Sequence, residues 1–260
     1  MVFVFSVLYS EGYFITYPET SYFMPAVNQL SKTGDRPFID AKDNRFVASF
    51  FTVFTKFLAK RTFHRVYLEN EYGSNISTRS TLFFGNHNAW WDALTPLLLN
   101  QYVFKQHPRA VMEWEQVHRY PFFRRIGCFS IDRKDPRSAL QSLRYGINWL
   151  NSEPGRSLYL YPEGKITNPL LPHSPFETGI GWMTSQLAEH VDLVPLIQHA
   201  HFMHHAKPDL FIQVGQPVDR VAMGKDKKEI TNQLYDIIKV MKDDLILKAS
   251  PKDTQLPIWF

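Results

Sequence analysis

The sequence predicts an α/β protein in which a central, mostly parallel or mixed sheet is flanked by helices and preceded by an amphipathic helical appendage. From residue 65 onward, short segments rich in β-branched and aromatic residues alternate with helical segments, which is typical of strands joined by crossover helices. The 260 residues fit one α/β core with a small appendage better than two equal domains. We therefore expect residues 1–64 to form the appendage and residues 65–260 the main domain.

The predicted appendage has two parts. Residues 1–40 mix aromatic residues with proline and glycine and show no sustained period, so we expect irregular structure with room for one short helix. Over residues 46–58 the apolar side chains fall within an arc of about 160° on a helical wheel, which predicts an amphipathic helix. A basic cluster follows this helix and consists of Lys60, Arg61, His64 and Arg65.

The apolar face of this helix has two interpretations. Most amphipathic helices pack their apolar face on the protein core. Contact with lipid is favoured because phenylalanine dominates the face and because basic residues follow where lipid headgroups would lie. Both alternatives stay open at this point.

Seven segments of the main domain have the composition of strands. They cover residues 65–69, 80–85, 109–113, 129–131, 157–161, 193–197 and 210–214. Helices are expected between most of them. Near the C-terminus, apolar residues recur at spacings of three and four, which predicts a helix that lays one face on the domain; they are Ile230, Leu234, Ile237, Ile238, Met241 and Leu245.

The charge, the cysteine content and the length of the apolar stretches limit the partners and the compartment that we expect for this protein. The 29 Lys and Arg residues exceed the 25 Asp and Glu residues only slightly, which suits anionic lipid or phosphate and argues against a nucleic-acid partner. A single cysteine, Cys128, excludes an internal disulfide and favours a reducing compartment. Because no apolar stretch reaches about 18 residues, we expect a peripheral protein on the cytoplasmic face of a membrane rather than one that crosses it.

A histidine and an aspartate stand five positions apart where a predicted strand ends. The strand of residues 80–85 leads through Asn86 to His87, and Asp92 falls near the first turn of the following helix. Active groups gather at the carboxyl ends of strands in α/β sheets. A carboxylate there can accept the Nδ1 proton of the imidazole, which leaves Nε2 free to take a proton from a hydroxyl group. His87 is therefore a candidate base, and Asp92 is the residue that orients it.

Three further blocks follow in the chain. Residues 127–133 begin with glycine and end in Ile-Asp-Arg, residues 162–164 read Pro-Glu-Gly, and residues 194–195 read Val-Pro. Together with the Asn-His pair and its aspartate, these blocks resemble the glycerolipid acyltransferase family, whose best-known members acylate glycerol 3-phosphate or lysophosphatidic acid. Short sequence motifs further along the chain extend the resemblance over about residues 65–220. Residues 65–260 are therefore expected to form an acyltransferase domain.

The resemblance implies a role for each matching residue. His87 and Asp92 match the catalytic pair of the family, and Arg133 matches the arginine that helps to hold the phosphate of the acceptor. Glu163 and Gly164 match the acceptor-binding block. An arginine also suits this task physically, because its guanidinium group offers a planar fork of donors to a phosphate.

The sequence departs from the family after the Pro-Glu-Gly block. The family usually has Thr-Arg there, whereas this chain has Lys165 followed by isoleucine. Lysine keeps the positive charge but loses the bidentate geometry. Trp90 and Trp91 are bulkier than the serine-rich residues that the family commonly has between the His and the Asp. In this respect the chain resembles branches of the family that acylate other hydroxyl groups, such as those of carotenoid glycosides. Both can equally be core aromatics, although two adjacent residues at a helix start cannot both face the core.

The reaction that the resemblance implies needs no cofactor and no metal. Acyl-CoA or an acyl carrier protein would supply the thioester, and a lipid at the membrane surface would supply the hydroxyl group. Alternatives are a phospholipid-dependent transacylase, a thioester hydrolase, and a catalytically silent lipid-binding module.

Two other features contain residues that can bind a metal or act as a nucleophile. Residues 199–205 are rich in histidine, and alternating histidines on a strand share a face, but no carboxylate or cysteine joins them at zinc-ligand spacing. Cys128 stands between apolar residues with no base nearby in the sequence, which favours a buried structural thiol over a nucleophile.

Overall fold

One seven-stranded sheet forms the centre of the protein. The computed structural model describes residues 36–74, 76–168, 175–202, 205–251 and 254–260. In these ranges the strands are β1 (Val66–Asn70), β2 (Ser80–Gly85), β3 (His107–Glu113), β4 (Cys128–Ile131), β5 (Arg156–Leu160), β6 (Val191–His201) and β7 (Asp209–Val214). Their order is β1-β7-β6-β2-β5-β3-β4, and every pair is parallel except β6 with β7. The predicted α/β fold with a mixed, mostly parallel sheet is confirmed.

Helices cover both faces of the sheet. They are α1 (Arg45–Thr62), α2 (Thr95–Leu99), α3 (Trp114–Arg119), α4 (Pro136–Ser152), α5 (Gly179–Thr184) and α6 (Lys227–Ala249). Every residue of β2 is buried. The adjacent residues Phe83 and Phe84 of this strand point to opposite faces of the sheet and belong to two different apolar cores. Phe84 packs with residues of α4 and α6, whereas Phe83 packs with residues of α1 and α2. A strand covered on both faces explains the unbroken apolar run in this part of the sequence.

Helix α1 divides its apolar residues between the core and the solvent. It begins after Asn44, whose side chain accepts a hydrogen bond from the Val47 amide at 3.1 Å. Its inner face buries Phe51, Thr52, Thr55 and Ala59. Its outer face exposes Phe46, Phe50, Val53 and Phe57 to between 57% and 89%. The core therefore covers one side of α1, and an aromatic side of the helix stays exposed to solvent.

Helix α6 is the predicted C-terminal helix. Asp226 caps its start, since the carboxylate accepts hydrogen bonds from the amides of Lys228 and Glu229. The residues that it buries recur at spacings of three and four and include Ile230, Leu234, Ile238 and Leu245, as expected from the sequence. The same row contains Lys242, which the apolar pattern did not include.

The N-terminal predictions fall mostly outside the described residues. The prediction of irregular structure over residues 1–40 lies mostly outside the described residues, because residues 1–35 are not described. The boundary after residue 64 stays a prediction. No helix in the described ranges is both long and apolar enough to span a membrane.

Candidate active site

The candidate site begins at the carboxyl end of β2, where Gly85 leaves no space for a side chain beside β6. Gly85 ends β2 opposite Leu196, and a methyl group at this position would overlap the Leu196 carbonyl oxygen. The buried side chain of Asn86 continues the pairing, since its amide donates to the Gln198 carbonyl at 2.8 Å and its oxygen accepts from the Gln198 N–H at 2.9 Å. Asn86, which the sequence indicated as a supporting residue, therefore fixes the strand end from which His87 projects.

His87 and Asp92 meet directly after this strand end. His87 Nδ1 lies 3.2 Å from Asp92 Oδ2. The same carboxylate oxygen accepts the backbone N–H groups of Asn88 at 2.7 Å and Ala89 at 2.8 Å. Because the two amides hold the buried carboxylate in place, it can fix the orientation of the imidazole ring. The His87 side chain keeps 19% of its surface exposed, so part of it can be reached from solvent.

The Tyr161 ring stacks on the imidazole ring of His87. The two rings stack with centroids 4.7 Å apart and planes 21° from parallel. The tyrosine hydroxyl donates a hydrogen bond to the Asp92 carbonyl and accepts one from Gln198 Nε2 at 3.2 Å. Burial raises the pKa of Tyr161 well above its usual value, so the phenol stays neutral and keeps its proton to donate. The sequence analysis did not identify Tyr161 as a site residue, because this contact depends on the tertiary fold.

Glu163 lies under the loop that carries His87. Its side chain is only 4% exposed, and its Oε2 accepts a 2.6 Å hydrogen bond from the Thr167 hydroxyl group. Thr167 in turn donates its N–H to the His87 carbonyl at 2.8 Å, and Asn88 Nδ2 donates to the Thr167 carbonyl at 3.0 Å. Burial raises the pKa of Glu163, whereas the Thr167 hydrogen bond, the charges of His87 and Lys242 and a backbone hydrogen bond from His87 oppose this rise. Thr167 was missed in the sequence because it acts only through these contacts.

Arg133 lies against Gly164. The glycine has a φ of 68°, and a Cβ there would overlap the guanidinium group of Arg133. Arg133 Nε also donates to Glu113, the last residue of β3. The arginine of one motif and the glycine of the next are thus brought together, with the guanidinium group partly exposed.

Lys165, Trp90 and Trp91 occupy different environments. Lys165 is exposed on the turn that follows Gly164. Trp91 is buried and packs edge-on against Phe63 with ring centroids 4.9 Å apart. Trp90 is half-buried and contacts the Trp91 ring at a centroid distance of 4.6 Å. One tryptophan therefore belongs to the core, while the other keeps an accessible surface.

The histidine-rich segment and Cys128 are the two other candidate features. In the described ranges, no three metal-ligating side chains come together in a way that could hold an ion. His199 and His201 stack on each other at 5.6 Å, and residues 203–204 of the histidine-rich segment lie outside the description. Cys128 is buried, and burial raises the pKa of its thiol to about 12. A thiol that stays protonated at neutral pH is a poor nucleophile, which agrees with the structural interpretation.

The chain resembles known proteins in both its sequence and its fold. The sequence matches the family model described as "Acyltransferase" over residues 65–198, which is just over half of the chain. The fold is similar to the crystal structure of the 1-acyl-sn-glycerophosphate (LPA) acyltransferase PlsC from Thermotoga maritima, with a TM-score of 0.53 and 17% sequence identity over 77% of this chain and 81% of that chain. No curated protein gives a significant match to the sequence. The chain belongs to the acyltransferase family.

Proposed function

We propose that this acyltransferase moves a fatty acyl group from an acyl thioester to a hydroxyl group of a lipid acceptor, such as a lysophospholipid or glycerol phosphate. The observation that carries the proposal is the contact between His87 Nδ1 and Asp92 Oδ2 at the carboxyl end of β2. Acyl-CoA or an acyl carrier protein serves as the donor, and the reaction uses no cofactor.

The proposed reaction takes place in one transfer step. Asp92 accepts a hydrogen bond from the Nδ1–H group of His87, so Nε2 presents a lone pair to the acceptor hydroxyl group. As Nε2 removes the hydroxyl proton, the oxygen forms a bond to the acyl carbon and a tetrahedral oxyanion develops. The carbon–sulfur bond then breaks, and the imidazolium returns the proton to the leaving thiolate. The protein contributes chiefly by holding the donor and the acceptor beside this one base.

Arg133 is the proposed anchor for a phosphate on the acceptor. Its guanidinium group is partly exposed and lies on Gly164, whose missing side chain leaves room for it. Lys165 adds a second positive charge on the same turn, without the bidentate geometry of an arginine.

A second acceptor class is favoured by the ion pair of Arg133. Glu113 already balances the guanidinium charge, and a phosphate would have to displace or tolerate this carboxylate. A neutral hydroxyl group on a glycosylated lipid, including a carotenoid glycoside, would meet no such repulsion. A catalytically silent lipid-binding module fits less well, because such a module does not need the oriented imidazole.

Offering a mixed pool of acceptors separates these alternatives. The purified protein is incubated with a labelled acyl-CoA, or with a labelled acyl carrier protein, and the pool contains lysophosphatidic acid, glycerol 3-phosphate, a lysophospholipid and a glycolipid. We expect one labelled ester by mass spectrometry, formed only when its acceptor is present. Labelled free fatty acid as the main product would instead indicate a thioester hydrolase, and absence of turnover with every pair would favour a silent module.

The exposed face of α1 is the proposed membrane contact. Phe46, Phe50, Val53 and Phe57 form one outward strip, and Lys60 and Arg61 follow in the last turn. Aromatic side chains can enter the acyl region of a bilayer while basic residues meet anionic headgroups. We propose that the protein docks peripherally on the cytoplasmic face of a membrane through this strip, close to its lipid substrates.

Charged substitutions in this strip test the docking proposal. We expect Phe50→Glu with Phe57→Glu to weaken binding to liposomes that contain anionic lipid by about tenfold or more, since two aromatic insertions are lost. Cosedimentation with the liposomes measures this binding. The matched control is Val240→Glu with Leu247→Glu, which changes two exposed apolar residues on α6 and should leave binding unchanged. Equal liposome binding by both double variants, or unfolding of the α1 variant, would contradict the proposal.

A further inference from the structure

Thr167 joins the segment that follows β5 to the loop that carries His87. Its backbone N–H donates to the His87 carbonyl at 2.8 Å, and its own carbonyl accepts a hydrogen bond from Asn88 Nδ2 at 3.0 Å. Thr167 and His87 lie 80 positions apart in the chain. The tertiary fold therefore brings these groups together and places the Thr167 side chain against the loop.

The hydroxyl group of Thr167 contacts three polar groups. Its Oγ1 lies 2.6 Å from Glu163 Oε2, 3.0 Å from Asn88 Nδ2 and 3.2 Å from the His87 carbonyl oxygen. A hydroxyl group has one proton to donate and two lone pairs that can accept. Because the contact with Glu163 is the shortest, the proton points to Glu163, and a lone pair accepts the hydrogen bond from Asn88. The hydroxyl group therefore links the buried Glu163 to the loop.

Asn88 connects Thr167 to the pair of His87 and Asp92. The side chain of Asn88 donates to both the carbonyl and the hydroxyl group of Thr167, each at 3.0 Å. Its backbone N–H donates to Asp92 Oδ2 at 2.7 Å, and the same oxygen lies 3.2 Å from His87 Nδ1. One residue thus has its side chain held by Thr167 and its backbone bonded to the carboxylate that orients the imidazole.

The loop is also fastened to β6 through Asn86. The Nδ2 group of Asn86 donates to the Gln198 carbonyl at 2.8 Å and to Asn88 Oδ1 at 2.5 Å. Every side-chain N–H of the two asparagines and the Thr167 hydroxyl proton therefore has an acceptor. A polar network in which each donor is paired favours a single arrangement of its members. Loss of the Thr167 hydroxyl group would leave Glu163 and Asn88 each short of one partner.

We propose that Thr167 is a positioning residue for the acyl transfer: its hydroxyl group links Glu163 to Asn88, and this link holds the loop in which Asp92 orients His87. Thr167 acts through Asn88 and has no need to touch either substrate. The inference rests on the proposed function, because it concerns the same imidazole. It adds to the site a residue that follows the Pro-Glu-Gly block and belongs to none of the four sequence blocks.

Replacement of the hydroxyl group by a methyl group tests this role. Thr167→Val keeps the shape of the side chain and both backbone hydrogen bonds, and we expect it to lower kcat by about tenfold or more with little change in KM, because a small misplacement of a base is costly. Thr167→Ser restores the hydroxyl group and should recover most of kcat. The control is Thr184→Val, which removes a buried hydroxyl group that donates to the Ile180 carbonyl within α5 and should keep parental kcat.

A double variant tests whether Thr167 acts through Asn88. Asn88→Ala removes the other end of the same link, so it should also lower kcat. The combination of Asn88→Ala with Thr167→Val should lower kcat by less than the product of the two single losses, because both changes break one link. Independent losses that multiply would show that Thr167 does not act through Asn88 and would overturn the inference.

Hydrogen exchange provides a readout that needs no substrate. The amides of Asn88 and Ala89, which donate to Asp92, should exchange faster in Thr167→Val than in the parent and in Thr184→Val. If the parent transfers no acyl group, the proposed function fails, and these exchange rates still decide whether Thr167 holds the loop.

Three results would overturn the inference. The first is parental exchange at Asn88 and Ala89 in Thr167→Val. The second is a Thr167→Val enzyme with parental kcat, or a Thr167→Ser enzyme that loses as much kcat as Thr167→Val. The third is loss of the fold in both Thr167→Val and Thr167→Ala, a second variant that leaves space for a water molecule, because the residue would then serve the fold as a whole rather than the loop.

Discussion

Replacement of His87 by alanine is expected to lower kcat for acyl transfer about a thousandfold or more. Its imidazole is the only base that the proposal provides for the acceptor hydroxyl group, and a positioned base contributes on the order of 10² to 10⁴ in rate. Steady-state kinetics with the acceptor found in the mixed pool measure the loss. Asp92→Asn should also lower kcat strongly, because an amide in place of the carboxylate can favour the wrong tautomer of the ring.

The control for these variants is the integrity of the fold. His87 stacks on Tyr161 but remains partly exposed, so we expect His87→Ala to unfold within a few degrees of the parent, since removal of a partly exposed side chain costs only about 1 kcal/mol. Asp92 is buried and accepts two backbone amides, so its replacement is expected to cost more stability than that of His87. A His87→Ala enzyme that is folded and retains parental kcat would remove His87 from the mechanism.

Replacement of Gly85 by alanine is expected to have the second large effect, a loss of stability. We expect Gly85→Ala to lower the free energy of unfolding by about 3 kcal/mol, because the new methyl group would overlap the Leu196 carbonyl oxygen, and backbone atoms in the middle of a sheet cannot move aside without breaking the β2–β6 pairing. Urea denaturation measures the change. The same displacement would shift Asn86 and His87, so the surviving folded protein should also turn over more slowly.

Gly179→Ala is the matched control for Gly85→Ala. At that helical position a methyl group would come within 2.9 Å of Leu143 Cδ1, the flexible end of a side chain that can rotate away. We expect its unfolding free energy to stay within about 1 kcal/mol of the parent. Similar stabilities for the two alanine variants would mean that the close approach of β2 and β6 does not constrain the strand end.

The strands could be predicted because each is a short, apolar run bounded by polar residues or turns. All seven predicted segments overlap a strand of the sheet. The main difference is in β6, which was expected over residues 193–197 and extends over Val191–His201. Its C-terminal half pairs antiparallel with β7, and the last pair is His201 with Asp209. The length of a strand that is set by such pairing cannot be predicted from the local sequence.

Contacts within the candidate site could be predicted from spacing alone only where the residues are close in sequence. His87 and Asp92 are separated by one tight turn, so their contact follows from the spacing. Tyr161 and Thr167 reach the loop of His87 and Asp92 from the segment after β5, so their contacts depend on the tertiary fold.

A single-turnover experiment tests direct transfer between the two substrates most directly. The protein in excess over a labelled acyl thioester is mixed with the acceptor, quenched at short times, and analysed by intact-protein and lipid mass spectrometry. If His87 acts as a base, the label should pass from thioester to lipid ester with no acyl adduct on the protein at any time, and the thioester should persist when the acceptor is omitted. An acylated protein that forms before the ester, or loss of the thioester without acceptor, would contradict the proposed mechanism.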